Sequence, residues 1–303
     1  MPRRGSLQRK TKPVIVGIGE ILWDLLPSGK TLGGAPANVA FHAQSLGGAS
    51  KIVSAVGRDG LGREILRVLE AEGVSTDFVS VLDHHPTGTV KVKLDDEGVP
   101  KFTIAESVAW DFIPTSPRLR RLAARADAVC FGTLAQRSAI SRRTIRDFLD
   151  ATRPECLRVF DMNLRQRYYS EELLDELLRR TTVLKMNDVE FGILARLLAL
   201  PDAETDGLIR LMKKYPLKLI AVTRGDKGSR LFCLEREISS PAIPVDVVDT
   251  VGAGDAFTAA LVMGLLRGVP LFDINRWAVR IAAFVCSKPG AWPRIPESLS
   301  AWD

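Results

Sequence analysis

Along most of this chain a short apolar run is followed by a segment whose apolar residues recur at helical spacing, and then by another such run. That alternation constrains the fold more than any other feature, because strands separated by helices pair in parallel and need helices over both faces. Strand patterns fall at residues 14–19, 52–56, 128–131, 157–161, 183–185 and 219–222. Helical patterns run from Pro36 to the Gly47-Gly48 stop, over 61–71 before Gly73, over 141–151, after the 183–185 strand, and twice between 252 and 285. The expectation is an α/β fold with a mainly parallel central sheet. In such sheets ligands sit beyond the carboxyl ends of the strands.

One segment departs from the pattern. From Asp77 to Ala105, Val79, Val81, Val90, Val92, Leu94, Phe102 and Ile104 alternate with polar residues around a turn at 95–98. A small antiparallel sheet is expected there, projecting from the parallel sheet as a lid. No repeat, low-complexity tract or linker divides the remainder, so residues 13–303 are expected to form one domain. Residues 1–12, with Arg3, Arg4, Arg9, Lys10 and Lys12, read as a basic, disordered extension.

Composition excludes several classes. A net charge of +6 from 42 basic and 36 acidic residues is too mild for a nucleic-acid-binding face. No apolar run approaches the ~20 residues of a membrane span, and the opening stretch lacks a signal peptide's apolar core, which predicts a cytoplasmic protein. Cys130, Cys156, Cys233 and Cys286 are scattered without a close pair, and His42, His84 and His85 are the only histidines, so neither a disulfide framework nor a zinc site is indicated.

Chemistry concentrates near residue 250. In Gly252-Ala253-Gly254-Asp255 two glycines let consecutive backbone N–H groups point inward, and the apolar helix that follows brings its positive dipole end to the same spot. An anion fits such a turn, whereas Asp255 would repel it unless the carboxylate had a task. Accepting a proton from an attacking hydroxyl is such a task, since phosphoryl transfer otherwise asks mainly for positioning and charge neutralisation. A plain glycine turn before a helix would leave Asp255 unexplained.

Other polar residues lie near expected strand ends. Asp24 follows the first strand, where a short carboxylate can accept two hydrogen bonds from neighbouring hydroxyls. Gly33-Gly34 permits close backbone approach, and Asn38 supplies a donor and an acceptor, a combination suited to a polyol or to local packing alike. Asn187 and Glu190 open a helix with polar groups three apart, the spacing of a capping box. Two apparent nucleotide motifs fail: Gly29-Lys30-Thr31 lacks the leading glycine of a phosphate-binding loop, because that position is Asp24, and Gly17-Ile18-Gly19 has Leu22 where a dinucleotide fingerprint needs its third glycine.

The block from Val248 to Phe257 closely resembles the C-terminal signature of the PfkB, or ribokinase-like, carbohydrate kinases. Gly33-Gly34-Ala35-Pro36-Ala37-Asn38-Val39-Ala40 resembles the family's sugar-binding signature, and Val56 to Gly62 falls at its usual place. Glu20, Trp23, Ala35-Pro36, Trp110-Asp111 and Asp161-Met162-Asn163-Leu164-Arg165 are similar to the fructokinase branch. The resemblance implies a ribokinase-like three-layer fold with lid strands within 20–32 and 77–106.

It also implies roles for residues. Asp24, Gly33, Gly34, Asn38 and Asn163 would bind the sugar; Asp255 would be the base; Gly252, Ala253, Gly254 and Arg165 would stabilise the transferring phosphoryl group. Asn187 and Glu190 would organise Mg2+ through water, which suits an ion that keeps several waters. Thr223, Gly225 and Gly228, in a Thr-x-Gly-x-x-Gly turn, would lie with Asn187, Gly254 and Ser287 on the ATP side. Asp249 and Val251 resemble a loop that holds K+ in many relatives.

The implied reaction is transfer of the γ-phosphate of MgATP to a sugar hydroxymethyl group, with fructose to fructose 6-phosphate leading. Ribose, 2-keto-3-deoxygluconate and an aminoimidazole riboside are competing substrates on the same scaffold. A catalytically silent sugar-binding regulator is the non-kinase alternative. Pairing of lid strands between subunits would give a homodimer, and no nucleic-acid or membrane partner is expected.

Overall fold

The computed structural model describes residues 11–26, 29–94, 100–201 and 203–300. The basic extension falls almost wholly outside these residues, as does the expected turn at 95–98. The chain opens with β1 (Val14–Ile18), β2 (Leu22–Leu26) and β3 (Gly29–Gly33), followed by α1 (Ala35–Ser45), β4 (Ala49–Gly57) and α2 (Gly60–Ala71). Next come β5 (Val79–Leu82), β6 (Gly88–Leu94), β7 (Pro100–Ile104), α3 (Pro117–Ala123), β8 (Ala128–Phe131), α4 (Ala139–Asp150) and β9 (Leu157–Asp161). The remaining elements are α5 (Glu171–Leu178), β10 (Val183–Asn187), α6 (Asp188–Leu197), α7 (Glu204–Lys214), β11 (Leu219–Thr223), β12 (Ser229–Cys233), β13 (Arg236–Ser240), α8 (Ala253–Arg267), α9 (Leu271–Cys286) and α10 (Glu297–Ser300).

Nine strands form the large sheet in the order β13-β12-β11-β10-β9-β8-β1-β4-β5. All pairs from β11 to β5 are parallel, whereas at one edge β12 runs antiparallel to both β11 and β13. Buried residues alternate between the two faces of each strand, as a covered parallel sheet requires. Ile15, Cys130, Val159 and Ala221 pack with α1, α8 and α9, whereas Val16, Val129, Phe160 and Val222 pack with α3 to α7. Ile52 and Val56 bring α2 onto the α1 face. The result is the expected three layers.

A second sheet has the order β3-β2-β6-β7. Its outer pairs are antiparallel, as expected of the lid, and β2 runs parallel to β6 where the two hairpins meet. One part of the expectation is corrected: residues 79–82 pair in parallel with β4 and form the edge of the large sheet. An edge strand with one half-covered side shows the same alternation as a lid strand, so the pattern could not separate them. The β12–β13 hairpin was not anticipated.

Candidate active site

The parallel strands all deliver their carboxyl ends to one rim, and the residues singled out above cluster along it. Glu20 follows β1, Asp161 ends β9, Asn187 ends β10 and Thr223 ends β11. The turn ahead of α8 adds the residues around position 250.

That turn is built from two backbone constraints. Gly252 takes φ +79°, a left-handed conformation costly for other residues, and a Cβ there would sit 2.8 Å from Ala291. Ala253 donates its N–H to Thr250 at 3.3 Å, while the N–H groups of Gly252, Gly254 and Asp255 have no acceptor among the described residues. They lie at the positive end of a 15-residue helix, an arrangement suited to an anion. Asp249 braces the turn by accepting from the N–H of Val251 and from that of Gly290, each at 3.0 Å.

Asp255 stands in the first turn of α8, half-buried, and Asn38 Nδ2 donates to its Oδ2 at 2.7 Å. Burial, reinforced by the charge of Asp161, raises its pKa to about 7 against the opposing pull of Asn38, Lys185 and Arg165. Behind it, Lys185 Nζ lies 3.0 Å from Asp161 Oδ1, and Thr258 Oγ1 donates to Asp161 Oδ2 at 2.9 Å. A Cβ on Gly254 would come within 3.0 Å of that ammonium, so the glycine lets the turn rest on Lys185.

On the lid side, Gly33 clears space for Asp24: a Cβ there would meet the Asp24 carboxylate at 2.5 Å. Burial raises the Asp24 pKa to about 6, opposed by Arg165 and aided by Asp249. Glu20 is buried, and that burial raises its pKa against the pull of the backbone N–H groups beside it and of Arg165. Arg165 is exposed and forms no ion pair among the described residues, yet its charge bears on Glu20, Asp24 and Asp255 together. The structure thus brings Asp24, Gly33, Gly34, Asn38, Arg165 and the Gly252 to Asp255 turn to one place.

The remaining candidates have local explanations. Asn187 and Glu190 form a reciprocal capping box for α6, and the second Glu190 oxygen accepts from the Leu164 N–H at 2.9 Å. Each carboxylate oxygen keeps a further lone pair, so the pair fits an outer-sphere role toward Mg2+. Asn163 takes φ +39° in the loop that carries Arg165. Thr223 pairs with Asn187 in register, and Gly228 crosses Ser240 so closely that a Cβ would lie 2.0 Å from its carbonyl oxygen. Ser287 caps α9 through its hydroxyl. Among the described residues no hydrogen bond joins Gly225 or Ser287 to Asp255.

Three residues were missed. Lys185 ends an expected strand, and its place between buried Leu184 and Met186 signals a covered amine. Trp292 donates to Asn38 Oδ1 at 2.6 Å across 254 residues of sequence, with no local signal. Arg137 makes a buried bidentate pair with Asp111 at 2.8 Å and stacks 4.1 Å over Trp110, under the lid.

A parallel α/β fold with a glycine turn at a helix start, a carboxylate beside it and polar groups beneath a lid suits an anion held next to a proton acceptor. The family profile described as pfkB family carbohydrate kinase matches residues 28–297, and the chain belongs to that family. An uncharacterized sugar kinase of Pyrococcus horikoshii is 32% identical, over 94% of each chain; its crystal structure with ATP superposes at a TM-score of 0.77 over 92% of this chain and 94% of that one, at 30% identity. A fructokinase of Salmonella typhimurium is 34% identical, over 84% of this chain and 85% of its own. The fold is shared with an ATP-bound fructokinase of Xylella fastidiosa, at a TM-score of 0.83 and 22% identity over 94% and 96% of the two chains.

Proposed function

We propose that this carbohydrate kinase transfers the γ-phosphate of MgATP to the hydroxymethyl group of a neutral sugar, fructose giving fructose 6-phosphate. The observation that carries this reading is Asp255, a carboxylate with a pKa of about 7 beside three backbone N–H groups that have no acceptor among the described residues. A base poised near the working pH balances availability against proton affinity.

In this reading Asp24, Gly34 and Asn38 hold the sugar, and Asp255 removes the proton of the hydroxyl that attacks phosphorus. The N–H groups of Gly252, Gly254 and Asp255 face the transferring phosphoryl group, with Arg165 adding charge from the lid side. Asn187 and Glu190 hold the waters of Mg2+, which when bound neutralises phosphate charge. Asp249 and the Val251 carbonyl belong to the loop proposed for K+. Thr223, Gly225, Gly228 and Ser287 lie on the nucleotide side.

Charge supports a neutral substrate. Glu20, Asp24, Asp249 and Asp255 crowd the rim where Arg165 is the shared counter-charge, so a sugar acid would enter against several carboxylates. This favours fructose over 2-keto-3-deoxygluconate, and the likeness to fructokinases leans the same way. No helix among the described residues is long and apolar enough to cross a membrane, and four unpaired cysteines suit a reducing cytoplasm. We take residues 13–303 as one catalytic unit, with the lid as its route to a homodimer. A coupled ADP-release assay over fructose, ribose, an aminoimidazole riboside and 2-keto-3-deoxygluconate tests the reading. Fructose should give the highest kcat/KM; turnover of the sugar acid alone would overturn the substrate assignment.

A further inference from the structure

We propose that Trp292 is a positioning residue for Asp255: its indole N–H dictates which end of the Asn38 amide faces the carboxylate. Only the use of Asp255 as a base rests on the reading above; the hydrogen-bond chain is a property of the fold.

The chain has two links. Trp292 Nε1 donates to Asn38 Oδ1 at 2.6 Å, and Asn38 Nδ2 donates to Asp255 Oδ2 at 2.7 Å. An indole N–H can only donate and an ionised carboxylate can only accept, so these partners select one of two nearly isosteric amide orientations. Asn38 keeps a second N–H for a substrate oxygen.

The indole is itself anchored. It stacks on buried Phe41 with centroids 4.4 Å apart and planes 13° from parallel. The preceding residue, Ala291, is held through its carbonyl by His42 Nε2 at 2.9 Å and lies against Gly252. Gly290 is bound to Asp249. The 290–292 segment therefore ties α1 to the anion turn before any substrate arrives.

Without the indole donor, the amide can turn Oδ1 toward Asp255, where it accepts from the protonated acid and repels the ionised one. The other groups facing Asp255 are Cys130 on β8, Asp161 on β9, Arg165 in the loop after it and Lys185 on β10. None of them contacts Trp292 through a hydrogen bond or ion pair. Changing the indole should act on Asp255 through Asn38.

Trp292→Phe keeps a ring on Phe41 and removes the donor. In protein carrying 13C at aspartate carboxyls, the Asp255 resonance is assigned by its loss in Asp255→Asn and titrated. We expect its midpoint to rise by about half a unit or more in Trp292→Phe. An unchanged midpoint would overturn the proposal. Site-specific 3-benzothienylalanine at position 292, which puts sulfur in place of the N–H within the same ring shape, gives the same reading should the Phe protein fail to fold. With turnover measured, the acid limb of kcat/KM should move by the same amount while KM for ATP holds. A wild-type protein inactive on every sugar would sink the kinase reading, and the titration would still decide the role of Trp292.

Discussion

The ammonium of Lys185 lies 3.0 Å from the Asp161 carboxylate, and both side chains are buried behind the turn that carries Asp255. Parallel register sets the pair: Lys185 on β10 stands opposite Asp161 on β9, and Thr258 from α8 completes the Asp161 hydrogen bonds. Replacing Lys185 with Met strands a buried charge. The expected loss is about 3–5 kcal/mol, read as a lower denaturant midpoint, and activity should fall most at low pH because Asp255 loses a cation that favours its ionised form. Wild-type stability in this variant would contradict the burial argument.

Asp255 predicts a pH profile. Its folded pKa of about 7 exceeds the unfolded value of about 3.9, so folding disfavours the ionised form. The sign follows: this group's contribution to stability improves as pH falls from about 7 toward 4, while the base fraction needed for turnover shrinks. Below neutrality kcat/KM should drop roughly tenfold per pH unit. Urea unfolding at pH 8 should find Asp255→Asn more stable than wild type, with the gap closing at pH 5. A gap that widened on acidification would reverse the assignment.

Gly33 isolates the role of Asp24. Its φ is not in the left-handed region, so an added methyl acts mainly by meeting the Asp24 carboxylate at 2.5 Å. Gly33→Ala should raise KM for the sugar about tenfold, the scale of one misplaced hydrogen bond, with a smaller effect on KM for ATP. Equal effects on both substrates would argue that the lid, rather than Asp24, had moved.

The lid and the Arg165 loop are joined by Gln166, which donates to the Phe102 carbonyl at 2.8 Å, and by Tyr168, which donates to Glu106 at 2.6 Å. Both bonds are exposed and contribute little to stability. Gln166→Ala combined with Tyr168→Phe should therefore leave the melting temperature within about 2 °C. The sugar KM should rise severalfold as Arg165 loses its fixed approach. An unchanged KM would separate the loop from the lid.

How much of this was legible depended on whether the cause was local. The strand at residues 157–161, the helix ended by Gly47-Gly48 and the glycine turn that opens α8 each follow from neighbours in sequence, and the structure places these elements as read. Residues 79–82 did not, because alternation reports one covered face without naming the sheet that covers it. Asn187 and Glu190 were recognised as polar groups with two compatible readings, and the geometry displays the capping one. Lys185 and Trp292 owe their positions to strand register and to a contact spanning most of the chain. Such pairings have no signature in a window of residues.

The central claim is that Asp255 takes the proton of a sugar hydroxyl. Asp255→Asn keeps the shape of the site, so its sugar affinity by calorimetry and its turnover by ADP release separate binding from chemistry. The prediction is a Kd within a few-fold of wild type and a kcat reduced by about 10²–10⁴. Undiminished turnover with intact binding would contradict it.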